Sequence, residues 1–328
     1  MSWIRAFCLG IALVPTAATA EETRFQLPID CEIGHTCFVQ NYVDHDPGPE
    51  ARDFACGTLT YQGHTGTDFR VPTLVDMNNG VAVLAAAPGQ VKRIRDGVPD
   101  IPVRARPEGQ VQGVECGNGI VIAHEDGLET QYCHLQRGSV RVKPGDRIPA
   151  GYPIGRVGLS GLTEYPHLHF TVRQNGRIID PFAADLEPGA CGEGLSLWSE
   201  SVAKSLVYRP GALLNRGFAS GAVTMKAIEI GEAGRVAPER DAPAIVAFIR
   251  AIGLKAGDVQ HLSLAGPDGR IMAADTDPPL DGPKAQYFKF VGLKRPPGGW
   301  LSGRYTARYQ VIRGGEPAIE ETFTLDLP

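Results

Sequence analysis

Four histidines and one aspartate, spread over three short motifs, carry the clearest chemistry in this sequence. Glu164-Tyr165-Pro166-His167-Leu168-His169-Phe170-Thr171-Val172 sets two histidines two apart, ahead of residues that favour strand. In a strand, positions i and i+2 share a face, so His167 and His169 point one way and Leu168 the other, into a core. Two imidazoles on a β surface can form part of a metal site. Imidazole suits zinc, but two histidines do not complete a tetrahedral site, so further ligands are expected elsewhere. Gly63-His64-Thr65-Gly66-Thr67-Asp68-Phe69 offers His64 and Asp68, four apart. The intervening Thr-Gly-Thr is poor helix sequence, which predicts a turn running into a strand. His134 lies in Thr130-Gln131-Tyr132-Cys133-His134-Leu135, a predicted strand with Tyr132 and His134 on one face and Cys133 on the other. A lone histidine in a strand is usually a hydrogen-bonded structural residue. Here four of the eight histidines fall in these three motifs, and the pooled set points to a metal centre.

The elements that must position them read as β. Residues 81–87 predict a buried strand ended by Pro88-Gly89, with 90–95 as its alternating partner. Residues 119–124 and 129–135 predict a hairpin turning at Glu125-Asp126-Gly127. Residues 96–115, rich in Gly, Pro and charge, read as a long loop forming one wall of a groove. No helix is required in this region. The glycines from Gly145 to Gly161 fit tight turns in a small curved sheet, and His124 reads as structural. Residues 21–56 form an N-terminal extension whose Asp44-His45-Asp46 reads as a solvated loop rather than a metal site. Residues 188–205 read as a linker. Residues 206–328 read as all-β, because 304–311 and 321–327 alternate strictly. Further strands are expected at 244–254, 261–265 and 286–292, the first of which reads equally as a short helix. Short strands between turn clusters point to an immunoglobulin-like β-sandwich. It holds no catalytic cluster.

At 328 residues the chain is long enough for about two domains. A 43% hydrophobic and 21% charged composition excludes long disorder. A net charge of −5 without a basic block gives no support for a nucleic-acid partner. Residues 1–20 read as a signal peptide: Arg5, an apolar run from Ala6 to Val14, then Ala18-Thr19-Ala20 before the cleavage point. The apolar run is too short to span a bilayer, and no later stretch is apolar for long enough. A periplasmic or secreted location is therefore expected. Six cysteines follow: Cys31, Cys37, Cys56, Cys116, Cys133 and Cys191. An even count in an exported chain implies disulfides. Cys31 and Cys37 are near enough to close a small loop. The other four leave three pairings open, and a Cys116–Cys133 bridge would need an offset hairpin register. The lack of any Cys-x-x-Cys pair argues against thiolate ligation of zinc.

The ordered set His64-x-x-x-Asp68, Tyr132-x-His134 and His167-x-His169 resembles the M23 (LytM/lysostaphin-type) zinc metallopeptidases. The resemblance covers roughly residues 57 to 183. It includes the strand Gly117-Asn118-Gly119-Ile120-Val121-Ile122, the turn Val142-x-x-Gly145-Asp146, Ile154-Gly155-x-x-Gly158 and Asp180-Pro181. It implies a LytM-type small β-sheet peptidase domain at 57–187, within an all-β chain. It implies one Zn2+ per chain held by His64, Asp68 and His169. His134 and His167 would then be the catalytic pair, one taking a proton from the attacking water and one stabilising the oxyanion. The implied substrate is peptidoglycan, cut in its peptide stems or cross-links. Two positions depart from the pattern. Tyr165 stands where the family often has Gly, and Thr171 where it often has Glu, a lost carboxylate that bears on how ligands are oriented. The competing class is a LytM-like non-catalytic module that binds or activates a cell-wall amidase. Members of that class have typically lost metal ligands, whereas this chain keeps the set.

Overall fold

The structure, a computed structural model, describes residues 23–107 and 109–328. The expected signal peptide lies outside the described residues. Ten strands build the first part: β1 Phe38–Asn41, β2 Thr67–Arg70, β3 Ala82–Leu84, β4 Gly89–Arg95, β5 Asn118–Ala123, β6 Leu128–Leu135, β7 Arg147–Ile148, β8 Pro153–Arg156, β9 His167–Gln174 and β10 Arg177–Ile179. Eight of them form one antiparallel sheet in the order β1-β2-β9-β6-β5-β4-β7, with β10 on β9. Alternation along β9 explains its place in the sheet. Leu168, Phe170 and Val172 are fully buried in the core, which leaves His167, His169 and Thr171 to the opposite face. The neighbouring β2 repeats this, with Phe69 in the core and Asp68 and Arg70 opposite. Register pairs Asp68 with His169 and Arg70 with His167.

Two local expectations fail here. β3 pairs with β8, and β4 pairs with β5 and β7 rather than with β3. Beyond Leu84 the fully buried Ala85, Ala86 and Ala87 leave the strand and thread the core, where the Ala86 N–H donates to the Tyr132 hydroxyl at 2.8 Å. A short helix, α1 Leu74–Asn79, also forms where none was expected. Thr73 caps it by accepting from the Asp76 N–H, and Gly80 ends it at φ +91°.

The N-terminal extension is part of this unit. Phe25 and Ile29 are buried in its core, β1 completes the sheet, and a disulfide joins Cys31 to Cys37. Asp44-His45-Asp46 is packed rather than solvated, because its side chains find fixed partners. Asp44 accepts from the Gly63 and Arg52 N–H groups, and His45 lies 3.0 Å from Asp180. Within 188–205, Leu197, Trp198 and Val202 enter the same core, the last from α2 Glu200–Ser205. Cys56–Cys191 ties this stretch back to the extension.

The rest is a two-sheet sandwich of β11 Ala212–Ala219, β12 Ala244–Leu254, β13 Val259–Ala265, β14 Ile271–Thr276, β15 Lys284–Lys294, β16 Gly303–Arg313 and β17 Glu316–Leu327. Sheet β11-β12-β15 faces sheet β14-β13-β16-β17. Ile249, Leu264, Val291, Tyr309 and Leu325 share the core between them. β12 is buried along almost its whole length, since its second face also packs. Val246 and Phe248 meet Ile228 of α3 Met225–Glu229, while Ile252 meets Leu214 and Phe38 of β1. Burial on both faces removes the period-2 signal, and that is why this strand reads equally as a helix in sequence.

Candidate metal centre

The turn ahead of β2, β2 itself, β9 and the end of β6 deliver all five sequence-predicted residues to one spot. Asp68 Oδ1 lies 2.9 Å from His169 Nδ1, 3.2 Å from His64 Nε2 and 3.4 Å from His167 Nε2. His64 Nε2 is 3.1 Å from His169 Nδ1. The His134 ring sits 4.6 Å from that of His167 and 5.9 Å from that of His169. An open cleft of about 300 Å³, bounded by Tyr61, Glu115, Gln131, Leu162 and Arg173, leads to these groups.

A β-bulge places His134. The β5–β6 register shifts between Asn118 and Ile120, and His134 takes the left-handed conformation at φ +61°. Tyr132 therefore points into the core beside Phe170, while Cys133 pairs with His169 and joins His134 in lining the cleft. The sequence expectation that Tyr132 and His134 share a face, with Cys133 opposite, is corrected by this bulge. The same shift lets Cys116 reach Cys133, 17 residues on. A Cβ on Gly119 would lie 2.7 Å from Cys116 Sγ, so only glycine leaves room for the bridge. The His134 N–H donates to the Cys116 carbonyl at 2.8 Å, which holds the bulge closed.

Hydrogen bonds on the outer side of each ring fix its proton. His64 Nδ1 donates to the Tyr42 carbonyl at 2.6 Å, His134 Nδ1 to the Ser160 carbonyl at 2.8 Å, and His167 Nδ1 to the Tyr165 carbonyl at 3.0 Å. His169 Nε2 faces the Thr171 hydroxyl at 3.0 Å. Thr171 thus meets this ring with a neutral hydroxyl rather than a carboxylate. Of these outer partners only Thr171 stood out in the sequence, because the other three are main-chain carbonyls. In the neutral tautomers the inner nitrogens of His64 and His169 present lone pairs to the Asp68 carboxylate. Three acceptors so close together call for a cation among them. Tetrahedral zinc with arms of ~2.0 Å sets its ligand atoms roughly 3.3 Å apart, which the spacings above approach. Among the described residues, two groups of three have ligand atoms within 4.8 Å of one another: His64, Asp68 and His169, and His134, His167 and His169.

Burial would raise the Asp68 carboxyl, but His64 and His167 outweigh it and hold the group well below its usual range. Burial also lowers His64, yet the Asp68 charge and hydrogen bond raise it on balance. Burial, then the neighbouring His167 and His169, push His134 well below an ordinary histidine, so its imidazole is neutral at neutral pH.

Residues 62–181 match Peptidase family M23. Peptidoglycan DD-endopeptidase ShyB of Vibrio cholerae is 33% identical over 123 residues, 38% of this chain and 23% of that protein. DD-carboxypeptidase/endopeptidase Mpg of Neisseria meningitidis is 33% identical over 127 residues, 39% of this chain and 24% of that protein. The chain thus spans about a quarter of the length of these relatives. Among solved structures, the catalytic domain of the prophage-encoded M23 protein EnpA from Enterococcus faecalis aligns at 26% identity and a TM-score of 0.30. It covers 44% of this chain and 98% of that one. The sandwich lies beyond the matched range.

Proposed function

We propose that this chain is an exported zinc-dependent endopeptidase that hydrolyses peptide bonds in peptidoglycan stems or cross-links. The observation that carries the reading is the convergence of the inner atoms of His64, Asp68 and His169, which lie 2.9–3.2 Å from one another. This set is preferred to the all-histidine group because its carboxylate offsets part of the metal charge in a buried site. When bound, zinc would acidify a water molecule and polarise the scissile carbonyl. His134 serves as the base, since its Nδ1–H is committed to Ser160 and its Nε2 is free to accept a proton. His167 serves as the donor to the developing oxyanion, its Nε2 standing 3.4 Å from Asp68 Oδ1. Tyr42, Ser160 and Thr171 orient the rings.

Peptidoglycan as substrate rests on the two named hydrolases, and export on the three disulfides among the described residues. No helix among the described residues is long and apolar enough to cross a membrane. We place the sandwich, 206–328, as a separate domain. The amidase-activating alternative lacks its usual feature, a broken ligand set. The test is digestion of purified peptidoglycan with fragment analysis, with and without a chelator. Release of cross-linked peptide fragments that stops on chelation and returns with zinc supports the reading. Metal-free protein with no released fragments overturns it.

A further inference from the structure

A cleft of about 660 Å³ lies between the first sheet and the sandwich. Its walls bring together Arg70 of β2 and Arg250 of β12, both essentially fully buried. Arg70 donates from Nη1 to Gln40 Oε1 at 2.6 Å and from Nη2 to Gln286 Oε1 at 3.0 Å, while its buried Nε has no partner. Arg250 donates from Nε to Asn215 Oδ1 at 2.9 Å and from Nη2 to the Pro72 carbonyl. Its buried Nη1 has no hydrogen bond, and the Glu229 carboxylate stands 3.7 Å away. Burial, together with the Arg70 charge, pushes the Arg250 guanidinium down to about 9, and burial pushes Arg70 down to about 10. Arg104 and Lys226 add positive charge to the lining. The carboxylates in it, Glu164 and Glu229, both pair with Arg104, at 3.4 and 3.0 Å, although the buried Glu164 Oε2 has no hydrogen bond.

Buried guanidiniums kept only to dock two domains would be expected to have their donors filled. Here two of them line one cleft with N–H groups unspent and too few free carboxylates to balance them. A planar guanidinium fork matches a carboxylate through paired charge-assisted hydrogen bonds. We propose that this interdomain cleft is a carboxylate-binding site clamped by Arg70 and Arg250. The site lies one aromatic ring from the metal centre. The Arg70 guanidinium carbon is 4.1 Å from the centroid of the Tyr165 ring, which in turn is 4.9 Å from that of His167. Resting on the reading of this chain as a peptidoglycan peptidase, the ligand is a free carboxylate of a stem peptide, held past Tyr165 from the bond that is cut. Arg250 and Gln286 fall outside the M23-matched range, so the site belongs to the pairing of these two units.

The test is calorimetric titration of the full-length, metal-loaded protein with N-acetyl-D-alanine and with N-acetyl-D-alaninamide, which lacks the charge. The acid is expected to bind at least about tenfold more tightly than the amide. Arg250→Met should abolish that preference. Glu229→Gln removes the competing carboxylate and should tighten the acid several-fold. This variant stays informative if Arg250→Met does not fold. Equal binding of acid and amide, no binding of either, or a preference unmoved by Glu229→Gln overturns the proposal. The last result would place the carboxylate on the metal instead. Chelator-sensitive hydrolysis without acid preference would leave the enzymatic reading standing and remove only this site. The reverse outcome would do the opposite.

Discussion

Replacing His134 tests the division of labour at the centre most directly. Its Nδ1–H is spent on Ser160 and its Nε2 carries a free lone pair in a ring kept neutral at neutral pH. A positioned base of this kind typically contributes ~10²–10⁴-fold, or about 2.7–5.4 kcal/mol of barrier. His134→Ala should therefore lose activity on peptidoglycan by that factor and keep its zinc. Backbone strain has to be separated from chemistry, because residue 134 sits at φ +61°. Any residue with a Cβ, histidine included, carries strain of about 1–2 kcal/mol there, and alanine does not relieve it. His134→Asn is the better variant, since asparagine tolerates the left-handed region. The assay is the rate of fragment release from purified peptidoglycan, alongside elemental zinc per chain and a thermal melt. A loss below about tenfold, with zinc retained and the fold intact, would refute the base assignment. Release of zinc would instead make His134 a ligand, through the group it forms with His167 and His169.

Asp68→Ala and His169→Ala should each lose most of the roughly one zinc expected per chain, measured by elemental analysis; full occupancy in both would sink the ligand set. Cys116→Ser should lower stability by about 3 kcal/mol for a loop of this size, read by calorimetry. It should also slow catalysis, because the bulge that aims His134 closes on the Cys116 carbonyl. His45 gives a pH signature outside the five-residue cluster. Burial lowers its pKa, but the Asp180 hydrogen bond and charge raise it on balance above the unfolded value. Its contribution is therefore full below the unfolded pKa of about 6.5 and is lost as pH rises through the folded pKa. The melting-temperature gap between wild type and His45→Gln should shrink from pH 6 to pH 9, and a constant gap would contradict the pairing. Residues 206–328 alone should unfold cooperatively on heating, given their own core, and a fragment without a melting transition would remove the proposed boundary.

The two motifs flanking β2 and β9 were legible because each follows a simple period. His167 and His169 alternate with Leu168, and Asp68 lies one strand over in register. The hairpin of β5 and β6 was legible for the same reason, down to its turn at 125–127. The bulge at His134 was not, since a single left-handed residue leaves no periodic trace. Its signals were indirect: a glycine at 119 where a side chain would strike Cys116, and a cysteine pair that needed an offset register. The helix at 74–79 did have a signal, Thr73 three before Asp76 with Gly80 after, and it was missed. The second-sphere carbonyls of Tyr42, Ser160 and Tyr165 had none, because a main-chain acceptor can belong to any residue type.

The bond from His64 to the Tyr42 carbonyl also limits how the matched segment could be inherited or shuffled. Family resemblance begins at residue 62, yet the oxygen that orients a predicted metal ligand comes from residue 42, beside a strand of the same sheet. A gene fusion or protease cut placed at the edge of the matched range would carry all five site residues and still lose β1, Tyr42 and one half of the Cys56–Cys191 clasp. The heritable unit is therefore longer at both ends than its recognisable part. Genetic drift in residues 23–56 would be felt at the metal before it was felt in the motifs.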